Sequence, residues 1–196
     1  MATGKLVLVI GGSGSGKGTL MASARERFPD IVFPVSCTTR AIRPGEIAGQ
    51  VYHFVTNEEF DSRIEAGAFL EWAEYGGNRY GTPVSEVTGP LSEGKLLLHE
   101  IEVQGVRLLQ KIIASDELVT VYIDAGSWDV LEERIRARAP ITDTELAKRR
   151  ERYEKESSFK SEATYVIENT NGGVEQAIED FVSLIARLRS EVSDTA

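Results

Sequence analysis

The sequence predicts an α/β domain of three layers, with a parallel central sheet between helices. Three observations carry that prediction. Short apolar runs at Lys5–Ile10, Lys95–Ile101 and Leu118–Asp124 read as strands buried on both faces. Segments with helical start signals alternate with them, which is the pattern of a parallel sheet with crossover helices. A glycine-rich stretch also follows the first run directly and opens the first helix, over about residues 18–28.

The remaining elements follow in chain order. Val32–Ser36 reads as a second strand, and residues 37–50, with Pro44, Gly45 and Gly49, as a loop. Val51–Val55 is strand-like. Thr56 with Glu59 makes a capping box that opens a helix to about Gly67. Phe69–Tyr75 alternates like a strand, and Gly76–Pro83 is rich in turn residues. Helices are expected over about 103–113 and 127–138. Thr142 with Glu145 is a second capping-box signal, for a charged helix ending near Phe159. Tyr165–Ile167 is a short last strand, and 174–191 a closing amphipathic helix. Residues 37–92 lack the strand–helix alternation of the rest. The chain is therefore expected to be one domain over 1–196, with a core of 1–36, 93–136 and 151–196, an insert at 37–92 and a second, smaller insert at 137–150.

Composition limits the function. The 196 residues are 41% hydrophobic and 27% charged, as in a soluble globular domain. No apolar run reaches the length of a membrane span. The first apolar run is too short for a secretory signal and has no small-residue cleavage site after it. Cys37 is the only cysteine, which excludes a disulfide within the chain and suits a reducing, cytoplasmic setting. A net charge of −9 argues against nucleic acid as a partner. Small phosphate ligands remain compatible with that charge, because arginines gather at 40–43 and 134–152.

Gly11-Gly12-Ser13-Gly14-Ser15-Gly16-Lys17 fits the phosphate-loop pattern G-x-x-x-x-G-K in its required place between strand and helix. Small residues let backbone N–H groups curl around phosphate oxygens, the helix N-terminus adds positive potential, and Lys17 can reach the β- and γ-phosphates. Gly18 stands where Ser or Thr usually holds Mg²⁺. Thr19 either brings its hydroxyl to the phosphates and metal or is a first-turn helix residue without a ligand. The loop alone says that the chain binds a nucleoside triphosphate.

Further on come Ser36-Cys37-Thr38-Thr39-Arg40-Ala41-Ile42-Arg43-Pro44-Gly45-Glu46, Gly67-Ala68-Phe69-Leu70-Glu71-Trp72-Ala73 and Tyr80-Gly81-Thr82-Pro83. With these blocks the chain resembles the guanylate kinase family of phosphate-loop nucleoside monophosphate kinases, from Gly11 to Asn169. The resemblance implies the phosphate-loop kinase fold, with a GMP-binding insert and a small lid, and transfer of a phosphoryl group from ATP to GMP or dGMP with Mg²⁺. It assigns Ser36, Arg40, Arg43, Tyr52, Glu71, Tyr80, Thr82 and Glu102 to GMP. The chemistry agrees: Arg40 and Arg43 offer planar donor forks to a phosphate dianion, and Tyr52 and Tyr80 add phenolic donors. Guanine presents two adjacent donors on its Watson–Crick edge. The Glu71 carboxylate accepts both, and adenine does not offer them.

Arg134 and Arg138 match the R-x-x-x-R start of the family's lid, and Arg149 its third arginine, with Arg150 as the alternative register. Ala137, Ala139 and Pro140 depart from the glycines common there. Such arginines neutralise charge spread on the transferring phosphoryl group. Glu100 and Glu102 end the Lys95–Ile101 run, and strand alternation puts them on one face, at the end of a parallel strand where ligands bind. Glu100 is a candidate to hold a Mg²⁺-bound water. Glu102 replaces the family's Asp, and its role is open between the guanine edge, Arg40 and a metal-bound water. His53 and His99 lack metal-ligand spacing and read as core or surface residues. A phosphopeptide-binding module on the same scaffold and a ribose-bisphosphate kinase are the competing functions. Lys17 counts against the first, and the set Ser36, Glu71 and Thr82 against the second. The chain is expected to act as a monomer or homodimer.

Overall fold

The computed structural model describes residues 4–193 and has the three-layer α/β architecture. The terminal residues 1–3 and 194–196 of the expected domain lie outside the described residues. The main sheet consists of β1 (Lys5–Ile10), β6 (Leu96–Glu100), β7 (Leu118–Asp124) and β8 (Tyr165–Glu168), in the order β6-β1-β7-β8, all parallel. The period-two geometry of β1 sorts its side chains. Val7 and Val9 meet Leu20, Ala24, Phe181, Ile185 and Leu188 of α1 (Lys17–Arg27) and α7 (Val174–Ser193) on one face. Leu6, Leu8 and Ile10 meet Val87, Leu91, Val106 and Leu109 of α3 (Val84–Ser92) and α4 (Val103–Leu109) on the other. Both faces are buried, so the strands read as unbroken apolar runs.

Beside it stands a smaller mixed sheet, ordered β3-β2-β5-β4, from β2 (Cys37–Thr38), β3 (His53–Phe54), β4 (Phe69–Tyr75) and β5 (Asn78–Pro83). Between β3 and β4 lies α2 (Asn57–Glu65), which has the expected capping box: the Thr56 hydroxyl accepts from the Glu59 N–H, and the Glu59 carboxylate from the Thr56 N–H. Two further helices follow β7. These are α5 (Trp128–Arg138) and α6 (Asp143–Ser157), joined by a short turn and followed by a 3₁₀ turn at Ser158–Glu162. Trp128, Leu131, Ile135 and Leu146 form a separate core between these helices. At α6 the Thr142 hydroxyl accepts from the Glu145 N–H.

Several expectations are corrected. Val32–Ser36 is not a regular strand: Val32 makes one parallel bridge to Leu97, and Pro34, which lacks an N–H, follows. Cys37–Thr38, read as loop, is β2. Gly76–Pro83, also read as loop, contains β5. Gly76 and Gly77, both at positive φ (60° and 76°), make the two-residue turn of a hairpin in which Tyr75 pairs with Asn78. Gly81 belongs to the strand by pairing with Cys37 and Trp72, and it must lack a side chain there because a Cβ would lie 2.9 Å from the Phe69 ring. The helix α3 was not expected, since Gly89-Pro90 reads as a breaker; it is held by burial of Val87 and Leu91, one turn apart. The helix expected to 113 ends at Leu109.

Candidate active site

Both halves of the site sit at the carboxyl ends of the main strands, where the chain leaves the sheet and backbone groups are free to meet a ligand. After β1 the chain turns through Gly11, Gly14 and Gly16, all at positive φ, and Gly16 caps α1 in the left-handed conformation. Gly16 has a second reason to lack a side chain: a Cβ would fall 2.2 Å from Nδ2 of Asn169, which donates to the Ser15 carbonyl (2.7 Å). Lys17 Nζ folds over the loop, donating to the carbonyls of Gly11 (2.5 Å) and Gly12 (3.3 Å), and lies 3.6 Å from Glu100 Oε1. The Ser15 hydroxyl is buried in the loop and has no hydrogen-bond partner among the described residues.

The arginines approach this loop to different degrees. Arg134 donates to the Asn169 carbonyl (2.9 Å) and lies 3.5 Å from that of Gly14. Arg149 Nη1 donates to Ser13 Oγ (3.1 Å) while its Nε pairs with Glu145. Arg150 instead pairs with Glu154 on the exposed side of α6, so it is Arg149 that faces the loop. Arg138 is exposed and has no polar partner among the described residues. Thr19 is exposed and lines an open groove with Gly14, Gly16, Arg134, Asn169 and Asn171. Sequence reasoning assigned no ligand role to Asn169 or Asn171. Their place directly after β8, at the end of a parallel strand, is the signal that could have marked them.

The second half is built by the small sheet against β6 and α4. Glu71 on β4 is 8% exposed, and its Oε1 accepts from the Thr82 hydroxyl on β5 at 2.5 Å. Burial pushes the Glu71 carboxyl above its ordinary pKa, and the Thr82 hydrogen bonds partly oppose this. Gly105 on α4 makes room: a Cβ there would lie 3.0 Å from Glu71 Oε2. His99 on β6 joins this group, with Nε2 3.1 Å from Thr82 Oγ1 and 3.5 Å from Ser36 Oγ. Outside it, Arg40 is held by both oxygens of Glu46 (2.9 and 3.0 Å) and stacks 5.4 Å above the Tyr52 ring, which packs edge-on against Tyr80 (5.7 Å). Burial raises the Tyr52 pKa, keeping the phenol a donor. Arg43 is exposed; its backbone N–H donates to the Glu46 carboxylate (2.8 Å) and its carbonyl accepts from the Glu46 N–H (3.1 Å).

Glu100 links the two halves, lying beside Lys17 and close enough to act on the Tyr52 hydroxyl. The expected strand alternation of Glu100 and Glu102 does not hold, because β6 ends at Glu100 and Glu102 is the N-cap residue of α4. Glu102 meets the buried Glu156 of α6 through a side-chain hydrogen bond. From the same helix Arg152, not foreseen in the sequence, stacks 4.8 Å over the Tyr75 ring at the end of β4.

A protein-family model described as guanylate kinase matches residues 3–188. The chain belongs to the guanylate kinase family. It is 42% identical over 182 residues to a guanylate kinase of Synechococcus sp. (strain JA-3-3Ab), covering 93% of this chain and 82% of the relative. It is also 42% identical over 189 residues to a guanylate kinase of Nocardia farcinica, covering 95% and 96%. A crystal structure of guanylate kinase from Anaplasma phagocytophilum superposes with a TM-score of 0.74 at 27% identity, over 97% of this chain and 87% of that one. The guanylate kinase match thus spans the loop of Lys17, the small sheet carrying Glu71 and the helices carrying Arg134 and Arg149.

Proposed function

We infer that the protein transfers the γ-phosphoryl group of ATP to GMP, giving ADP and GDP, and that dGMP is a second acceptor. The observation that carries the acceptor's identity is the buried Glu71–Thr82 pair. A desolvated carboxylate at the end of a polar pocket matches the adjacent N1–H and N2–H donors of guanine, and a base lacking them would leave it unpaired. Ser36 flanks the same pocket. Arg40, pre-aligned by Glu46 and stacked on Tyr52, would meet the GMP phosphate together with Tyr52, Tyr80 and the exposed Arg43. Glu102, the N-cap residue of α4, stands near Tyr52 and Tyr75.

On the donor side, residues 11–19 would hold the ATP phosphates, with Lys17 drawn from its loop carbonyls onto the β- and γ-oxygens. The segment 137–150 comprises the end of α5, a turn and the first half of α6, and would act as the lid. Arg134, Arg138 and Arg149 then stabilise charge spread over the transferring group, and lid closure excludes water as an alternative acceptor. Mg²⁺ accompanying ATP prefers oxygen ligands and keeps several waters. Glu100 beside Lys17, the buried Ser15 hydroxyl and, at the edge, Thr19 fit such a role, and the ion would lower the charge on the phosphates. Among the described residues no helix is long and apolar enough to cross a membrane. We place the protein in the cytoplasm, as a monomer or homodimer without nucleic-acid or membrane partners, in line with its −9 charge and single cysteine.

The test is Glu71→Gln, assayed with ATP and each nucleoside monophosphate. A Gln offers an N–H₂ group to guanine's donors, so kcat/KM for GMP should fall by about 2–4 kcal/mol. An unchanged GMP rate would remove Glu71 from the acceptor site.

A further inference from the structure

We propose that His99 is a positioning residue for guanine selection: its bare Nε2 accepts a hydrogen bond from the Thr82 hydroxyl and so decides, through Thr82, whether Glu71 faces the base as a hydrogen-bond donor or as an acceptor. The inference rests on the assignment of Glu71 to guanine. It starts from proton counting in a buried chain. Thr82 has one hydroxyl proton and two claimants, Glu71 Oε1 at 2.5 Å and His99 Nε2 at 3.1 Å. Thr82 is fully buried and His99 nearly so, at 3% exposure, so neither can turn to solvent.

The Pro34 carbonyl faces the His99 ring as a hydrogen-bond acceptor. A carbonyl only accepts, so the neutral ring keeps its single proton on the nitrogen serving Pro34, leaving Nε2 as an acceptor. Two arrangements then satisfy the chain. With Glu71 protonated, its O–H donates to Thr82 and Thr82 donates to Nε2. With Glu71 ionised, Thr82 turns to Glu71, and Nε2 depends on the Ser36 hydroxyl, 3.5 Å away. The first arrangement has the shorter contacts, so His99 favours the protonated form of Glu71. Guanine needs the ionised form, because its edge brings only donors. The acceptor base must therefore displace the Thr82–His99 bond to be read.

Other ionisable groups on the surrounding elements are engaged elsewhere. Glu86 of α3 accepts from the Val35 N–H and lies near His53, Arg107 of α4 pairs with Glu162, Arg79 of β5 with Asp61, and Glu102 meets Glu156. None of them contributes to the rise in the Glu71 pKa.

The experiment is the pH profile of kcat/KM for GMP at saturating ATP, run side by side on the parent protein, His99→Leu, His99→Gln and His99→Asn. The acid limb reports ionisation in the free enzyme, and titration of the GMP phosphate is common to all four. His99→Leu removes the acceptor and frees Thr82 for the carboxylate. Its acid limb should move down by about 0.5–1 pH unit. His99→Gln retains an acceptor near the Nε2 position and should keep the parent limb. His99→Asn stops short of Thr82, should shift like Leu, and takes its place in the comparison if the Leu variant does not fold. A limb that stays in place in Leu and Asn, or moves equally in all three variants, overturns the proposal. Glu71→Gln in parallel separates the two levels: if it leaves GMP turnover intact, the guanine assignment itself fails, whereas a crippled Glu71→Gln with unmoved His99 variants sinks the His99 proposal alone.

Discussion

Glu156 lies on α6 with 7% exposure and shares a side-chain hydrogen bond with Glu102, so two carboxyls meet where water is scarce. Desolvation, then the neighbouring Glu102, hold its pKa well above the ordinary 4.5, and Lys17 and Arg152 only partly compensate. The consequence for stability has a definite sign. Above pH 4.5 the unfolded chain releases this proton while the folded chain keeps it. Folding therefore takes up one proton, and stability falls by about 1.4 kcal/mol per pH unit until the folded group also ionises. Glu156→Gln removes the titration and leaves an N–H to donate to Glu102. The variant should match the parent near pH 4.5 and gain on it as pH rises. By pH 7.5, about three units higher, the ceiling is about 4 kcal/mol, reached only if the folded group stays protonated throughout, so about 2–4 kcal/mol is the expected gap. Urea denaturation of both proteins at half-unit steps from pH 4.5 to 8.5 reads this directly. Parallel stability curves, or a gap that is largest at low pH, would refute the reasoning.

Lys17→Ala should lower kcat by about a hundred- to a thousandfold, since the ammonium acts on charge that grows during transfer. Unfolding free energy should change by no more than about 2 kcal/mol, for two hydrogen bonds to loop carbonyls; a variant with parent turnover would remove Lys17 from the chemistry. Two glycines close together at the start of α1 should behave oppositely. Gly16→Ala meets the Asn169 amide at 2.2 Å and a φ of 94°, and should cost about 2–4 kcal/mol, whereas a Cβ at Gly18 meets nothing within 4 Å, so Gly18→Ser should be neutral or stabilise by up to about 1 kcal/mol. Melting temperatures that shift in the same direction would show the loop geometry to be wrong.

The main sheet was legible in the sequence because both faces of its strands are buried, which leaves an unbroken apolar run at Lys5–Ile10, Lys95–Ile101 and Leu118–Asp124. The glycine-rich loop between β1 and α1 was legible because its signal is local: small residues, a helix start and a lysine adjacent in sequence. The capping box at Thr56 is local in the same way. The small sheet was less legible. β2 and β3 have two residues each and are held by partners far along the chain, and β5 is spelled in turn residues whose strand role comes from pairing with β2 and β4.

What the sequence by itself determined was the inventory: the layered α/β class, a glycine-rich loop with Lys17 between strand and helix, the side chains of Arg40, Arg43, Tyr52 and Tyr80, and a carboxylate at Glu71. Tertiary structure alone decided which of these are desolvated and who their partners are. Glu71 sits on an alternating strand that could equally face solvent, and only the packing of Thr82, His99 and Gly105 around it makes it a buried acceptor. Arg149 rather than Arg150 faces the loop because the phase of α6 against Ser13 is set by the burial of Leu146 and Glu156. His99 looks like an ordinary core residue in sequence. Its place beside Thr82 and Ser36 comes from bringing β6 against a sheet built tens of residues earlier, a contact that no local propensity encodes.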